Sequence, residues 1–482
     1  MGPSSAEKTT VAIVKGNSPE EAILEGIEKL GGISRFINKR DKVFIKFNLR
    51  LPNGFPTNTN FDVLKAVINS CKARGAEKIY IGSFPYEGIP TQSISDLLEL
   101  SSYFEALGAE LAFLDNSNYF KKRGIKAEQL RLLKNASMRK VQINNEDVMV
   151  PRVILDSDKL ISINQVSVDP IFKCHLSILN SYSIISNKDQ KIRKIITEDK
   201  KDIDLNQYKQ DLISKILDVY NIKKPDLVIN DLFYLLEGAG PFIYKDSKLK
   251  KTGLVIIGDN AVSVDSITVQ LLNLEILKND LLERAQEREF GTTDISNINI
   301  IGENIENNKT DVELCAAKLE DINIKNISIK PGKLCSGCYN QAYHLLNLMK
   351  TNMVKDLKYI LKNSFLIGEN PLDPDFVDSK TENVLGNILL FGDCAINSTI
   401  DRRFRKIVNT KSKKGKPDVV KEKPNKNVLE IHGCPPDLFD CIKILVKFYG
   451  KDEAPTLNLF YQTVKSFFHR KIKDKLEKWE VF

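Results

Sequence analysis

The chain has 482 residues, 42% hydrophobic and 28% charged, a composition that fits a folded protein of two domains and excludes a collagenous or natively disordered one. No apolar run approaches the ~20 residues of a membrane-crossing helix, and Met1-Gly2-Pro3-Ser4-Ser5 shows no secretory pattern, so a cytoplasmic location with a disordered N-terminus over residues 1–9 is expected. The net charge of +8 is local: residues 402–426 hold eleven Lys or Arg against Asp418 and Glu422, a net +9 that leaves the remainder near −1.

Strand and helix signals alternate from the start. Residues 11–15 read as a strand, and Ser18-Pro19-Glu20-Glu21 opens a helix with a side-chain cap, a first-turn proline and acids at the positive dipole end. Residues 42–47 predict a second strand, 60–73 a helix, 78–82 a third strand, 94–107 a third helix and 111–114 a fourth strand. Extended segments are expected at 148–150, 153–155 and 160–163, then a polar excursion over 187–210. The pattern resumes with strands at 225–231 and 253–259 and a helix at 261–272.

This alternation implies right-handed crossovers and an α/β fold with a doubly wound, mostly parallel sheet. Such sheets bind ligands beyond the C-terminal ends of their strands. Lys46, Asn48, Gly82 and Ser83 fall at those ends and define a candidate mouth.

Lys173, Cys174 and His175 follow the strand near 160–166. A histidine titrating near neutrality beside a thiol suits acid–base work, and the lysine suits an anion; the alternative is a hydrogen-bonded structural histidine. Glu237-Gly238-Ala239-Gly240-Pro241 permits close backbone approach to a ligand, or makes a tight turn. No G-x-G-x-x-G opens a helix, so NAD and FAD are not supported. Asp259 and Asp265 bracket a helix start; one would cap it and the other point into the cleft. The candidate set is therefore His175, Lys173 and Cys174 as catalytic groups, with Lys46, Asn48, Ser83, Glu237 and Asp265 binding a small anionic substrate.

Five segments in order, residues 42–48, 57–68, 173–175, 224–241 and 258–266, resemble the family catalogued as domain of unknown function 362, over roughly residues 10–275. The resemblance implies the fold and an iron–sulfur habit but no particular reaction. Members commonly carry a bacterial-ferredoxin run, C-x2-C-x2-C-x3-C-P. This chain lacks that run and reads Lys173-Cys174-His175 where Lys-Thr-His is usual, so the family's ligand pattern does not transfer.

A different set stands in the C-terminal third. Cys335-Ser336-Gly337-Cys338 supplies a C-x-x-C pair, while Cys394 and Cys434 each follow an apolar strand-like run and a glycine. Four thiolates suit a [4Fe–4S] cluster or a structural zinc. Iron–sulfur is favoured by the family habit and by Gly433-Cys434-Pro435-Pro436, where a proline beside the ligand removes a backbone donor. Cys71, Cys315 and Cys441 read as small buried hydrophobes, and His344 and His432 flank the cluster cysteines.

Residues 10–320 are thus expected to form the larger α/β domain and 321–482 a smaller α/β cluster domain. The basic loop 402–426 reads as a mobile loop or as a docking patch for an acidic ferredoxin-like electron partner. It contains a single aromatic, Phe404, so base stacking and nucleic-acid binding are poorly provided for. Residues 457–482 form a basic amphipathic helix pattern, suited to docking on its own domain, a homodimer mate or a membrane surface. The expectation is a [4Fe–4S] oxidoreductase or electron-transfer protein of anaerobic metabolism. The alternatives are a non-redox cluster-dependent lyase or isomerase, and an electron-carrier or binding module with no substrate of its own.

Overall fold

A computed structural model describes residues 9–52, 54–86, 91–114, 138–144, 146–190, 205–244, 247–275, 280–316, 318–358, 360–375, 383–413 and 416–459. The expected disordered N-terminus (but for residue 9), most of the polar excursion and the C-terminal helix from residue 460 lie outside them. Two compact units are present among the described residues: those within 9–190 and 211–315 in one, those within 205–210 and 316–459 in the other.

The first unit contains β1 (Thr10–Lys15), β2 (Lys42–Lys46), β3 (Lys78–Gly82), β4 (Glu110–Leu111), β5 (Met138–Ile143), β6 (Glu146–Pro151), β7 (Lys159–Asp169), β8 (Lys173–His175), β9 (Leu227–Glu237), β10 (Lys248–Gly258) and β11 (Asn299–Gly302). Strands β5 and β6 pair as a separate ribbon. The rest form one sheet, ordered β11-β1-β10-β9-β7-β2-β3-β4 with β8 on β7. From β9 to β4 the neighbours run parallel, while β10 is antiparallel to both β1 and β9. With helices on both faces, the inner strands are buried on both sides, which is why β2 and β9 are mostly apolar with no polar alternation.

Local chemistry explains the helices that flank this sheet. The Ser18 side chain accepts from Glu21 N to start helix Pro19–Lys29. Asn60 caps Phe61–Arg74, which ends on Gly75 at φ 86 and buries Val63, Leu64, Val67, Ile68 and Cys71. Three local expectations need correction. The helix at 94–107 is two helices, Thr91–Leu98 and Leu100–Leu107, broken at Glu99 in the left-handed region; the second buries its own pair, Leu100 and Phe104. Residues 153–155 are a helical turn, Arg152–Leu155, since a three-residue apolar run carries no period. Helix Leu205–Ile222 begins inside the segment read as a polar excursion.

The second unit contains β12 (Ile327–Pro331), β13 (Asn363–Ile367), β14 (Asn387–Phe391), β15 (Lys406–Lys413), β16 (Lys416–Pro424) and β17 (Val428–Ile431). Strands β12-β13-β14-β17 form a parallel sheet in that order. Pro331, Ile367, Phe391 and Ile431 end the four strands in one register row, so all four exits leave from one edge. Phe365, Leu366, Ile388, Leu390 and Phe391 are fully buried. The basic segment is not a loop but a two-stranded antiparallel ribbon, β15–β16, built on β-branched residues either side of residues 414–415. Among the described residues no helix is long and apolar enough to cross a membrane.

Candidate functional site

In the second unit the exits of β12, β14 and β17 carry the four cysteines. Cys335 is the N-cap of helix Ser336–Asn352, and Cys338 lies in its first turn at 3% exposure. Cys394 lies in the first turn of helix Asp393–Ser398. Cys434 follows Gly433 beyond β17. The pivot is Gly392, at φ 87. A Cβ there would lie 3.2 Å from Cys338 Sγ, 3.5 Å from Gly433 O and 3.7 Å from Pro436 Cδ, so one glycine touches all three cysteine loops. Gly392 N donates to Ile431 O at 2.9 Å, Asp393 N to Gly433 O at 3.1 Å and Gly433 N to Asp393 Oδ1 at 3.0 Å, which ties the two later loops together.

The electrostatics agree with this convergence. The Cys338 thiol hydrogen-bonds Cys335 and lowers it to about 6, against burial and with help from the Cys338 and Gly337 amides. Cys338 is pushed up by the same bond, by burial and by the nearby charges of Cys335, Cys434 and Cys394. Cys335, Cys338 and Cys394 also lie at the N-terminal ends of two helices.

Among the described residues no three His, Cys, Asp or Glu side chains already stand in a metal-ligating arrangement. The donor set nonetheless fits a thiolate-bound centre. Four soft ligands leave one sheet edge, and Ser336 Oγ, beside Cys335, is buried without a partner. His432 is mostly exposed beside Asp393 and Glu430, whereas His344 is buried against Tyr343. Cys71 and Cys441 are buried; Cys315 is half-buried and its thiol meets Gly240 O at 3.6 Å.

In the first unit the expected mouth is a buried polar network. Asn180 Oδ1 accepts from Lys46 Nζ (2.8 Å) and Asn48 Nδ2 (2.9 Å), and Asn180 Nδ2 donates to Ser162 Oγ and Ile163 O. Asn48 Oδ1 accepts from Gln165 N at 2.6 Å. Burial, with Arg50 nearby, holds the Lys46 ammonium well below the usual lysine range. His175 Nδ1 meets Asn164 Oδ1 at 2.9 Å, while the Asn164 amide donates to His175 O and Asn230 Oδ1. That orientation makes Nδ1 the protonated nitrogen and leaves Nε2 an acceptor, with no partner among the described residues. Burial first, then Arg50 and Lys46, push the imidazole well below its ordinary value, so it is neutral.

Other expected residues have structural duties. Asp265 was expected to cap its own helix or enter a cleft; instead it accepts from Ser177 N, Ile178 N and Asn230 Nδ2, capping helix Ser177–Ser181, and Asn260 caps Ala261–Leu271. Asp259 pairs with Arg35 at 2.6 Å. Glu237 accepts from Glu313 N at 3.0 Å, and Ser83 Oγ donates to Phe84 O at 3.3 Å. Cys174 is buried in the main hydrophobic core, where burial pushes the thiol up. Lys173 is half-buried at φ 67. A cleft of about 500 Å3 lined by Lys78, Ser101, Glu105 and Gly108 opens instead at the opposite edge, by the starts of β3 and β4.

Residue reasoning missed Arg50, Asn164, Gln165, Asn180 and Asn230. Their signal was present: Ser162, Asn164, Gln165 and Ser167 interrupt an otherwise apolar central strand, as do Asn230 and Asp231 in β9.

A mixed, mostly parallel sheet with a polar network at the ends of its central strands defines the first unit as an α/β fold. Residues 43–270 match the model of the family described as Domain of unknown function (DUF362). No curated protein matches the chain in sequence. Among solved structures, the crystal structure of a structural-genomics target from Thermotoga maritima is 12% identical, with 89% of this chain and 91% of that one covered at a TM-score of 0.33.

Proposed function

We propose that this is a cytoplasmic [4Fe–4S] protein in which Cys335, Cys338, Cys394 and Cys434 hold the cluster, and that it acts as an oxidoreductase or electron-transfer protein on a small anionic substrate. The observation that carries the reading is the contact of all three cysteine loops with Gly392. Bound there, a cluster supplies one-electron chemistry. The chain's own part is to present four thiol ligands, Cys335, Cys338 and Cys394 of them at two helix N-termini, with Ser336 Oγ within the same turn as Cys335 to donate a hydrogen bond that tunes them.

In the first unit, His175 would offer Nε2 as the proton acceptor in a half-buried, hydrogen-bonded setting. Partner docking is assigned to the basic ribbon. Its register pairs Ile407 with Lys423, Asn409 with Lys421 and Lys411 with Val419, in a segment of net charge +9. An acidic electron donor suits that charge.

The test is iron and acid-labile sulfide per chain in anaerobically purified protein, followed by an EPR spectrum after reduction. Iron with sulfide and a reducible signal is the expected result. Stoichiometric zinc without sulfide would sink the redox reading and leave a structural site. Alanine at 335, 338, 394 or 434 should each remove the iron, while Cys71→Ala should not.

A further inference from the structure

The first unit holds a guanidinium, past the end of β2, that has no ion-pair partner among the described residues. Arg50 lies four residues past Lys46, the end of β2. Its Nη1 donates to Thr57 O at 2.7 Å. Its Nη2 is buried and has no hydrogen-bond partner, and among the described residues no carboxylate lies within ion-pair reach of the guanidinium. Asp169 is the carboxylate whose charge it feels. That group, however, spends Oδ1 on Ile171 N and Phe172 N at 2.8 and 2.7 Å.

A guanidinium shielded from water with an unmet N–H is costly unless a ligand completes it. Two further orphans stand on the neighbouring strand. Gln165 Oε1 and Ser167 Oγ, both on β7 and both fully buried, also have no partner. The three unmet atoms thus belong to the C-terminal ends of adjacent parallel strands, where α/β sheets bind their ligands. The Lys46 charge does not compete for the role, because Nζ is already bonded to Phe47 O and Asn180 Oδ1.

We infer that Arg50 is the anchor for a compact oxyanion, a carboxylate or phosphate group, which Ser167 Oγ helps to hold. This rests on the reading of the first unit as the anion-binding half of the protein and replaces Lys46 by Arg50 as its charged contact. The planar fork of a guanidinium matches either oxyanion with two parallel N–H donors. Gln165 Oε1, an acceptor, selects a ligand carrying a donor group next to the oxyanion.

The test is calorimetric titration of inorganic phosphate and, separately, of acetate into the full chain at low ionic strength, with sodium chloride as control. Saturable binding of one of the two at one site per chain is expected, and which one binds identifies the oxyanion. Arg50→Gln should weaken it about tenfold or more, Arg50→Lys less, and the exposed Arg152→Gln not at all. Absence of saturable binding by both anions, or unchanged affinity in a folded Arg50→Gln, overturns the assignment. Should Arg50→Gln fail to fold, Ser167→Ala decides: a several-fold loss supports the site, and unchanged affinity overturns it. Cys394→Ala should lose iron and keep the anion, and Arg50→Gln the reverse, so failure of the anion site and failure of the cluster read differently.

Discussion

At the scale of single residues, the first unit stands out for the number of polar groups it buries. Asp231 has its carboxyl pushed up to about 7 by burial, against the amide of Phe233, and Asp265 is pushed up to about 6 for the same first cause. An acid raised in this way takes up a proton on folding. Its contribution is therefore present at low pH and lost as pH rises from about 4 through 7. Asp231→Asn should flatten that part of the stability curve and leave the variant more stable at pH 8 by roughly 2–4 kcal/mol, seen in denaturant melts at pH 5 and 8. His175, lowered by burial, works in the opposite sense below its ordinary 6.5. Asp265→Ala is a different case. It strands the amides of Ser177 and Ile178 and the Asn230 side chain, so unfolding in urea at pH 5 should show a loss of about 3–5 kcal/mol, smaller at pH 8.

Secondary-structure elements show where patterning suffices and where it fails. The first helix, with its Ser18 cap, and the strands at 42–47 and 78–82 were readable because periodicity and capping are local. The break at Glu99 was not, because Leu100 and Phe104 continue an acceptable helical spacing while packing on the fold in a second helix. The basic segment misled for a related reason. Charge dominates its composition, but Val408, Thr410, Val419 and Val420 give it the strand preference that the β15–β16 ribbon uses. The turn at Gly392 has a sharp consequence. A side chain there is strained by φ 87 and meets Cys338 Sγ. Gly392→Ala should cost about 1–2 kcal/mol and sharply reduce iron per chain, with the circular dichroism of the fold retained.

For the whole molecule, nearly all the excess positive charge lies in one segment between two proposed ligand loops. Association with an acidic electron donor should then depend on ionic strength. The bimolecular rate of reduction by such a donor is expected to fall several-fold between low and physiological salt. Lys421→Glu with Lys423→Glu should remove most of that dependence in stopped-flow traces while leaving iron content unchanged. A salt-independent rate would place docking elsewhere.

The α/β class, the family of residues 43–270 and the identity of the four candidate thiol ligands were all written in the chain, because strand periodicity, glycine turns and cysteine spacing are short-range signals. Long-range pairing alone decided the rest. The parallel register of β12-β13-β14-β17 sets the cysteine exits on one edge, and the packing of β2 against β7 turns Lys46 into a hydrogen-bonded core residue while leaving Arg50 with an unmet donor. A side chain's chemistry is local, but its solvation and its partners come from strands up to hundreds of residues away, and these determine which charges stay free to bind.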